Sequence, residues 1–296
     1  MNWTNKQNLP LPLCRAIEKQ NTHGKRDPMR IPVTALIGSP LLWWLRSRYE
    51  DTMDADYSDR IWQFLGSIGH MICEEAADKA SGEHAELKMT AVVDGVTVVG
   101  MLDHISTDDS ITDYKLASVY TVKDGARTEW IEQQNVYLKL LRMNPETAPM
   151  AERIKSLRIC AILRDWGPRH EREVPRPVVM LDLPVWTDQM ASDFLAHQVA
   201  AHKPYIGSDT PPPICDERER WTSPRVFAVM KKGRASSLKN CLSFEEAQAW
   251  IKANGKGDNI EERPGEDKRC NEYCEYSKQG KCPYRQAKAE RKDGNE

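Results

Sequence analysis

The sequence predicts an α/β protein in which a sheet is layered against helices. Three observations carry this. VTVVGMLDHI (96–105) and SITDYK (110–115) are β-branched runs joined by the polar turn STDD. EWIEQQNVYLKLLR (129–142) follows with helical spacing of its apolar residues. Two more apolar runs, 155–166 (KSLRICAILRDW) and 177–184 (PVVMLDLP), then precede an amphipathic stretch at 188–202. Strands, helix, strand, strand, helix describe an α/β sandwich.

The elements follow in chain order. Residues 1–30 read as an entry arm with a short helix near 13–20. Residues 33–49 (VTALIGSPLLWWLRSRY) read as helix interrupted at Ser39-Pro40, with Trp43 and Trp44 as core. Residues 60–79 form a helix that carries His70 after Gly66 and Gly69. A strand at 87–93 then precedes the pair already named. The core spans 31–206. GSDTPPPICDERERW opens a Pro-rich linker, 207–223, that carries Cys215. Beyond it, 224–265 suggests a small ββαβ appendage. Its helix is signalled by Ser243 with Glu246 three residues later, the pattern of a capping box. A cysteine-bearing segment covers 266–286, and 287–296 reads as a disordered tail. There is no internal repeat.

At 296 residues the chain can bury a substantial core in one large domain with a small appendage. Charged residues make up 29%, which suits a soluble globular protein. No apolar run approaches the roughly 18 residues that a membrane span needs. The N-terminus lacks the charged-then-apolar layout of a signal peptide. These features predict an intracellular, cytoplasmic protein. The net charge of −2 does not advertise a polyanion partner, although a site that holds cations spends acidic residues locally. Basic clusters at 218–225, 231–234 and 285–291 read as solvated faces.

Chemistry concentrates at Asp103, Asp113 and Lys115. Residues two apart on a strand share a face, so Asp113 and Lys115 point the same way. Two carboxylates can hold a hard divalent cation through oxygen. A neighbouring ammonium can orient a water or stabilise charge on a phosphate. Together these are the minimum for metal-assisted phosphodiester hydrolysis. Asp and Lys beside turns are also common surface residues; the neighbouring elements add the weight. Gln133 and Tyr137 are four apart and share a helix face.

The order GxxxH (Gly66, His70), GxxD (Gly100, Asp103), DYK (Asp113, Lys115) and QxxxY (Gln133, Tyr137) resembles the RecB-like branch of the PD-(D/E)XK nucleases. That branch includes phage-type exonucleases and CRISPR-adaptation nucleases. This chain has Asp at the middle of the second motif, where Glu also occurs. The resemblance implies a restriction-endonuclease-like core, a mixed central sheet flanked by helices, with the small α+β appendage and cysteine cluster C-terminal to it. It implies a Mg²⁺- or Mn²⁺-dependent DNA exonuclease of phage-type replication, recombination or repair. Asp103, Asp113, His70 and the Tyr114 carbonyl would ligate the metal, Lys115 would orient the attacking water, and Gln133 and Tyr137 would fix the site and contact the strand. Glu86 is a supporting acid. The substrate would be single-stranded or end-containing DNA, with room for a homo-oligomer or a recombination-complex partner. Rival readings are a catalytically silent DNA-end-binding subunit and a CRISPR spacer-processing nuclease.

Eight cysteines divide into two kinds. Cys73 and Cys160 sit in apolar patterns and read as small buried hydrophobes. Cys270, Cys274 and Cys282 lie close together among polar residues, as thiolates that ligate a metal or an iron–sulfur cluster do. Three thiolates need a fourth ligand. Relatives carry an early cysteine before a proline, where this chain has Ser39-Pro40. Cys215 is the best substitute, with Cys14 and Cys241 as alternatives. The resemblance favours 4Fe–4S, and zinc is the rival.

Overall fold

A computed structural model describes residues 1–21 and 27–284 of the protein. The chain divides into two compact units, Met1–Pro212 and Pro213–Glu296. The first is a mixed α/β unit with a central mixed sheet flanked by helices. Its elements run β1 (Asn2–Thr4), α1 (Leu11–Asn21), β2 (Arg30–Pro32), α2 (Val33–Leu36), α3 (Pro40–Tyr49), β3 (Asp54–Asp56), α4 (Ile61–Ala76), β4 (His84–Val93), β5 (Val96–Ile105), β6 (Ser110–Ala117), α5 (Val119–Val122), α6 (Thr128–Met143), α7 (Ala148–Ala151), β7 (Ser156–Leu163), β8 (Val178–Leu183) and α8 (Asp188–His202).

Ser39 breaks the first helical run for a local reason. Its hydroxyl accepts from the Leu41 amide, so α3 starts on a serine cap with Pro40 in its first turn. Trp43 and Trp44 are buried as expected. The N-terminal residues join this unit through two short parallel pairings, β1 with β3 and β2 with β5. Neither strand has enough length or alternation to be seen in the sequence.

Strand β5 organises the sheet. Asp94 and Gly95 both adopt positive φ and close a two-residue hairpin in which Val93 faces Val96. That tight turn fixes the register of β4 on β5 along the whole pair. The opposite edge of β5 is divided. β2 takes Thr97–Val99 in parallel, and β6 takes only His104 and Ile105, antiparallel. Between them, residues 100–103 have no strand partner on that side. Beyond β6 the order continues through parallel β7 to antiparallel β8.

Helix α6 fills the core, with Val136, Leu138, Leu140 and Leu141 buried. Burying four such side chains stabilises by roughly 1.5–3 kcal/mol each. Asn135 on the same helix pins the exit of β8: it donates to the Pro184 carbonyl and accepts from the Trp186 amide. At the end of α8, buried His202 donates from Nε2 to the carbonyls of Leu36 and Gly38, 3.1 and 3.2 Å away. No helix among the described residues is long and apolar enough to cross a membrane.

The second unit comprises α9 (Glu217–Arg220), β9 (Val226–Met230), β10 (Lys239–Cys241), α10 (Phe244–Asn254), β11 (Asn259–Arg263) and α11 (Glu275–Lys278). β9 lies between β10 and β11, both antiparallel to it, and Val229, Cys241 and Ala247 form a small core. Ser243 caps α10 as expected, but Glu246 accepts from the Leu242 amide, one residue earlier than a capping box requires. The complete box lies elsewhere, between Asp216 and Glu219 at the start of α9. The expected tail at 287–296 and the basic cluster at 285–291 lie outside the described residues.

Candidate active site

The unpaired stretch of β5 opens onto a cleft of about 770 Å³. It is lined by α4, β4, β5, β6 and α6, and by His70, Glu86, Asp103, Asp113, Lys115, Gln133 and Tyr137 among others. The sequence had placed Glu86 just before a strand; it lies inside β4. The hairpin register sets it opposite Asp103, since Ala85 pairs with His104 and Leu87 with Leu102. Glu86 holds φ at +50°, a left-handed value that costs a non-glycine residue free energy. The distortion interrupts the ladder at this one position.

His70, Glu86 and Asp103 form one group, each offering a ligand atom within 4.8 Å of the others'. His70 Nδ1 lies 3.1 Å from Asp103 Oδ2. That hydrogen bond to Asp103 raises the imidazole pKa above its ordinary value. Burial raises Glu86, and the charges of Asp103 and Glu74 raise it further. Glu74 is exposed but borders the cleft.

Asp113 lines the same cleft as Asp103. It is 1% exposed, and Oδ1 accepts from Gln133 Nε2 at 3.2 Å and Gln134 Nε2 at 3.1 Å. Lys115 Nζ lies 2.7 Å from Oδ2. Burial raises the Asp113 pKa to about 6, against the opposing pull of Lys115. Gln133 also donates to the Tyr137 hydroxyl, 3.0 Å away. Two amides and an ammonium therefore hold one carboxylate at the floor of the cleft.

Gly100 makes room for this arrangement. A Cβ there would lie 3.0 Å from two ring carbons of Tyr137 and 3.2 Å from Leu140 Cδ1. Tyr114 contributes through its backbone: its amide donates to Asp103 Oδ2 at 2.9 Å. Its half-buried phenol, pushed up to about 12 chiefly by burial, lies outside the lining of the cleft.

No family model matches this chain, and neither does any curated protein sequence. Among solved structures it is similar to SSO0001, at 16% identity and a TM-score of 0.46, over 71% of this chain and 89% of that one. It is also similar to a Eubacterium rectale protein provisionally named an exonuclease, at 14% identity and a TM-score of 0.34, over 74% and 82% of the two chains.

Sequence reasoning missed Gln134, Lys88 and Arg30 as neighbours of the site. A signal for Gln134 existed: Glu132, Gln133, Gln134 and Asn135 are four consecutive polar residues between the apolar residues Ile131 and Val136, and all four are buried. Lys88 lies two residues after Glu86 on the same strand face.

The cysteines are all free thiols. Cys73 and Cys160 are half-buried, not fully buried as expected. Cys14 is buried on α1 in the first unit, its thiol 3.6 Å from the Leu9 carbonyl, and Cys241 packs in the small core of the second. Cys215, Cys270, Cys274 and Cys282 all belong to the second unit. Burial raises Cys270 and Cys274, and each is raised further by neighbouring cysteines. The segments around Cys215 and the other three are clasped together. Thr222 Oγ1 and the Tyr284 hydroxyl donate to the two Asp267 oxygens, and Arg269 donates to the Glu219 carbonyl.

Proposed function

We propose that the protein is a divalent-cation-dependent nuclease of the PD-(D/E)XK type, an exonuclease acting on DNA ends or single strands. The observation that carries the reading is the convergence of His70, Glu86 and Asp103 beside the buried Asp113–Lys115 pair in one cleft. The donor set fits Mg²⁺ or Mn²⁺. Two carboxylates and an imidazole crowd one another, and the like charge of Asp103 raises Glu86, a conflict that a bound cation removes. His70, Glu86 and Asp103 would hold the ion, and Asp113 lies next to them on the floor of the cleft.

When bound, a divalent cation neutralises a scissile phosphate and acidifies a water. The chain supplies the rest. Lys115 places a positive charge next to Asp113, where it orients a water and offsets charge growing on the phosphate. Gln133 and Gln134 fix the Asp113 carboxylate, and Tyr137 fixes Gln133. The Tyr114 amide fixes Asp103.

End-labelled linear and closed circular DNA, single-stranded and duplex, tests the assignment in Mg²⁺ and Mn²⁺. Loss of end label from linear substrates, with circles intact, is the expected result. Intact DNA in every condition would remove the nuclease assignment, and cut circles would replace exonuclease by endonuclease.

We also propose that Cys215, Cys270, Cys274 and Cys282 hold a 4Fe–4S cluster. Four thiols in one unit, on segments clasped through Asp267 and Arg269, fit a four-sulfur site. Stoichiometric zinc without iron in the purified protein would replace the cluster by a zinc site.

A further inference from the structure

Helix α4 is apolar in sequence, yet none of its sixteen residues is buried. Its pocket side, with Gln63, Gly66 and His70, lines the cleft. Next to that side stands Trp62, 55% exposed. The Arg164 guanidinium lies over its ring, 4.7 Å from the centroid. Among the described residues Arg164 makes no salt bridge; its charge helps to lower the pKa of the adjacent Asp165, whose carboxylate is hydrogen-bonded elsewhere.

Arg164 is held firmly where it is. Its amide donates to the Ala117 carbonyl at 3.0 Å. The next residue, Asp165, accepts from Ser118 Oγ at 2.6 Å and from the Val119 amide at 2.8 Å. The end of β7 is therefore clamped to the end of β6. Ala117 is two residues past Lys115 on β6, about 7 Å along the strand. Trp62 thus stands on a helix that lines the cleft, and Arg164 is held through its amide to the strand that carries Asp113 and Lys115.

We propose that Trp62 and Arg164 form a platform on which a base of a single-stranded DNA stacks as the strand enters the cleft. The proposal rests on the nuclease reading above. An aromatic face serves any base, and a guanidinium outside any salt bridge complements the phosphate chain. An apolar protein surface would desolvate that cation with only the adjacent, already hydrogen-bonded Asp165 carboxylate to answer it, which argues for a polyanion as occupant.

The test uses fluorescence anisotropy with an end-labelled oligothymidylate in Ca²⁺, and cleavage in Mn²⁺ measured separately. A set of the same oligonucleotides carries a single abasic position, moved stepwise along the strand. Stacking is worth about 1–3 kcal/mol per base, so Trp62→Ala should weaken binding by roughly 5- to 150-fold, and Trp62→Phe should restore most of it. In the wild-type protein one abasic position should cost a similar factor. In Trp62→Ala that position should cost nothing more. Thermal unfolding verifies that the variants are folded, and the abasic series in wild-type protein needs no variant at all.

Equal binding by wild type and Trp62→Ala overturns the proposal, as does an abasic series with no sensitive position. In either case retained Mn²⁺-dependent cleavage leaves the nuclease reading standing. A wild-type protein that neither binds nor cleaves DNA removes both.

Discussion

Glu86 and Asp103 face each other across β4 and β5 at the one position where the ladder between them is interrupted, and Glu86 reaches it in a left-handed backbone conformation. The strain aims a second carboxylate at His70 and Asp103. Two substitutions separate backbone from side chain. Glu86→Gly and Glu86→Ala should both weaken Mn²⁺ binding, by about tenfold or more. Glu86→Gly should nonetheless be more stable than Glu86→Ala by about 1 kcal/mol, because only glycine adopts that φ freely. Titration calorimetry and urea unfolding measure the two quantities. Equal stability of the two variants would remove the strain argument.

Asp113→Asn keeps an oxygen for both Gln133 and Gln134 and removes the buried charge, so the fold should survive. Cleavage should fall by about two orders of magnitude or more, as when a group that acts on developing charge is lost. Lys115→Ala should do likewise. Wild-type turnover in both would show that the pair has no catalytic part.

His202 gives unit one a pH dependence. Burial lowers its pKa below the ordinary histidine value, and the hydrogen bonds to Gly38 and Leu36 only partly oppose this. Nδ1 is buried without a hydrogen-bond partner, so a second proton has nowhere to go. The unfolded chain therefore binds the proton more readily than the folded one. Stability is fully present above the ordinary histidine pKa, about 6.5, and is lost as pH falls below it towards the lower folded value. His202→Gln should flatten that part of the stability-versus-pH curve in thermal unfolding. An unchanged slope would move the effect to another group.

Gly100→Ala should destabilise by about 1–3 kcal/mol through overpacking against Tyr137 and Leu140. A double-mutant cycle with Tyr137→Ala locates the clash. The two changes should be strongly non-additive, and additive costs would show that Tyr137 is not what Gly100 accommodates.

Cys215→Ser should bleach absorbance near about 400 nm from the purified protein, as loss of an iron–sulfur ligand does, and expose the second unit to protease. Cys14→Ser and Cys241→Ser should do neither. If Cys14→Ser bleaches the protein and Cys215→Ser leaves its colour intact, the ligand set is wrong.

The long elements were legible because their signals are local. Alternation drew β5 with its observed limits, and helical spacing drew α8 likewise. Gln133 and Tyr137 were legible as a pair because four residues make one helical turn. What escaped depends on partners distant in sequence. β2 is three residues long and exists because β5 lends it an edge. Gln134 and Asn135 look like surface amides until Asp113 and the β8 exit are brought to them. Glu86 could be suspected as an acid, but its place opposite Asp103 follows from the Asp94-Gly95 turn, which sets a register no single strand reveals.

The contact between His202 and the carbonyls that end α2 also bears on how the chain is made. The Leu36 carbonyl and its donor are 166 residues apart. At ribosomal rates of about 5–20 residues per second, α2 waits roughly ten to thirty seconds for the residue that closes over it. The residues of the cleft, from His70 to Tyr137, have all been synthesised by then. The cleft can therefore be assembled on a nascent chain whose Leu36 carbonyl still faces water, and α8 is the element whose arrival seals the unit.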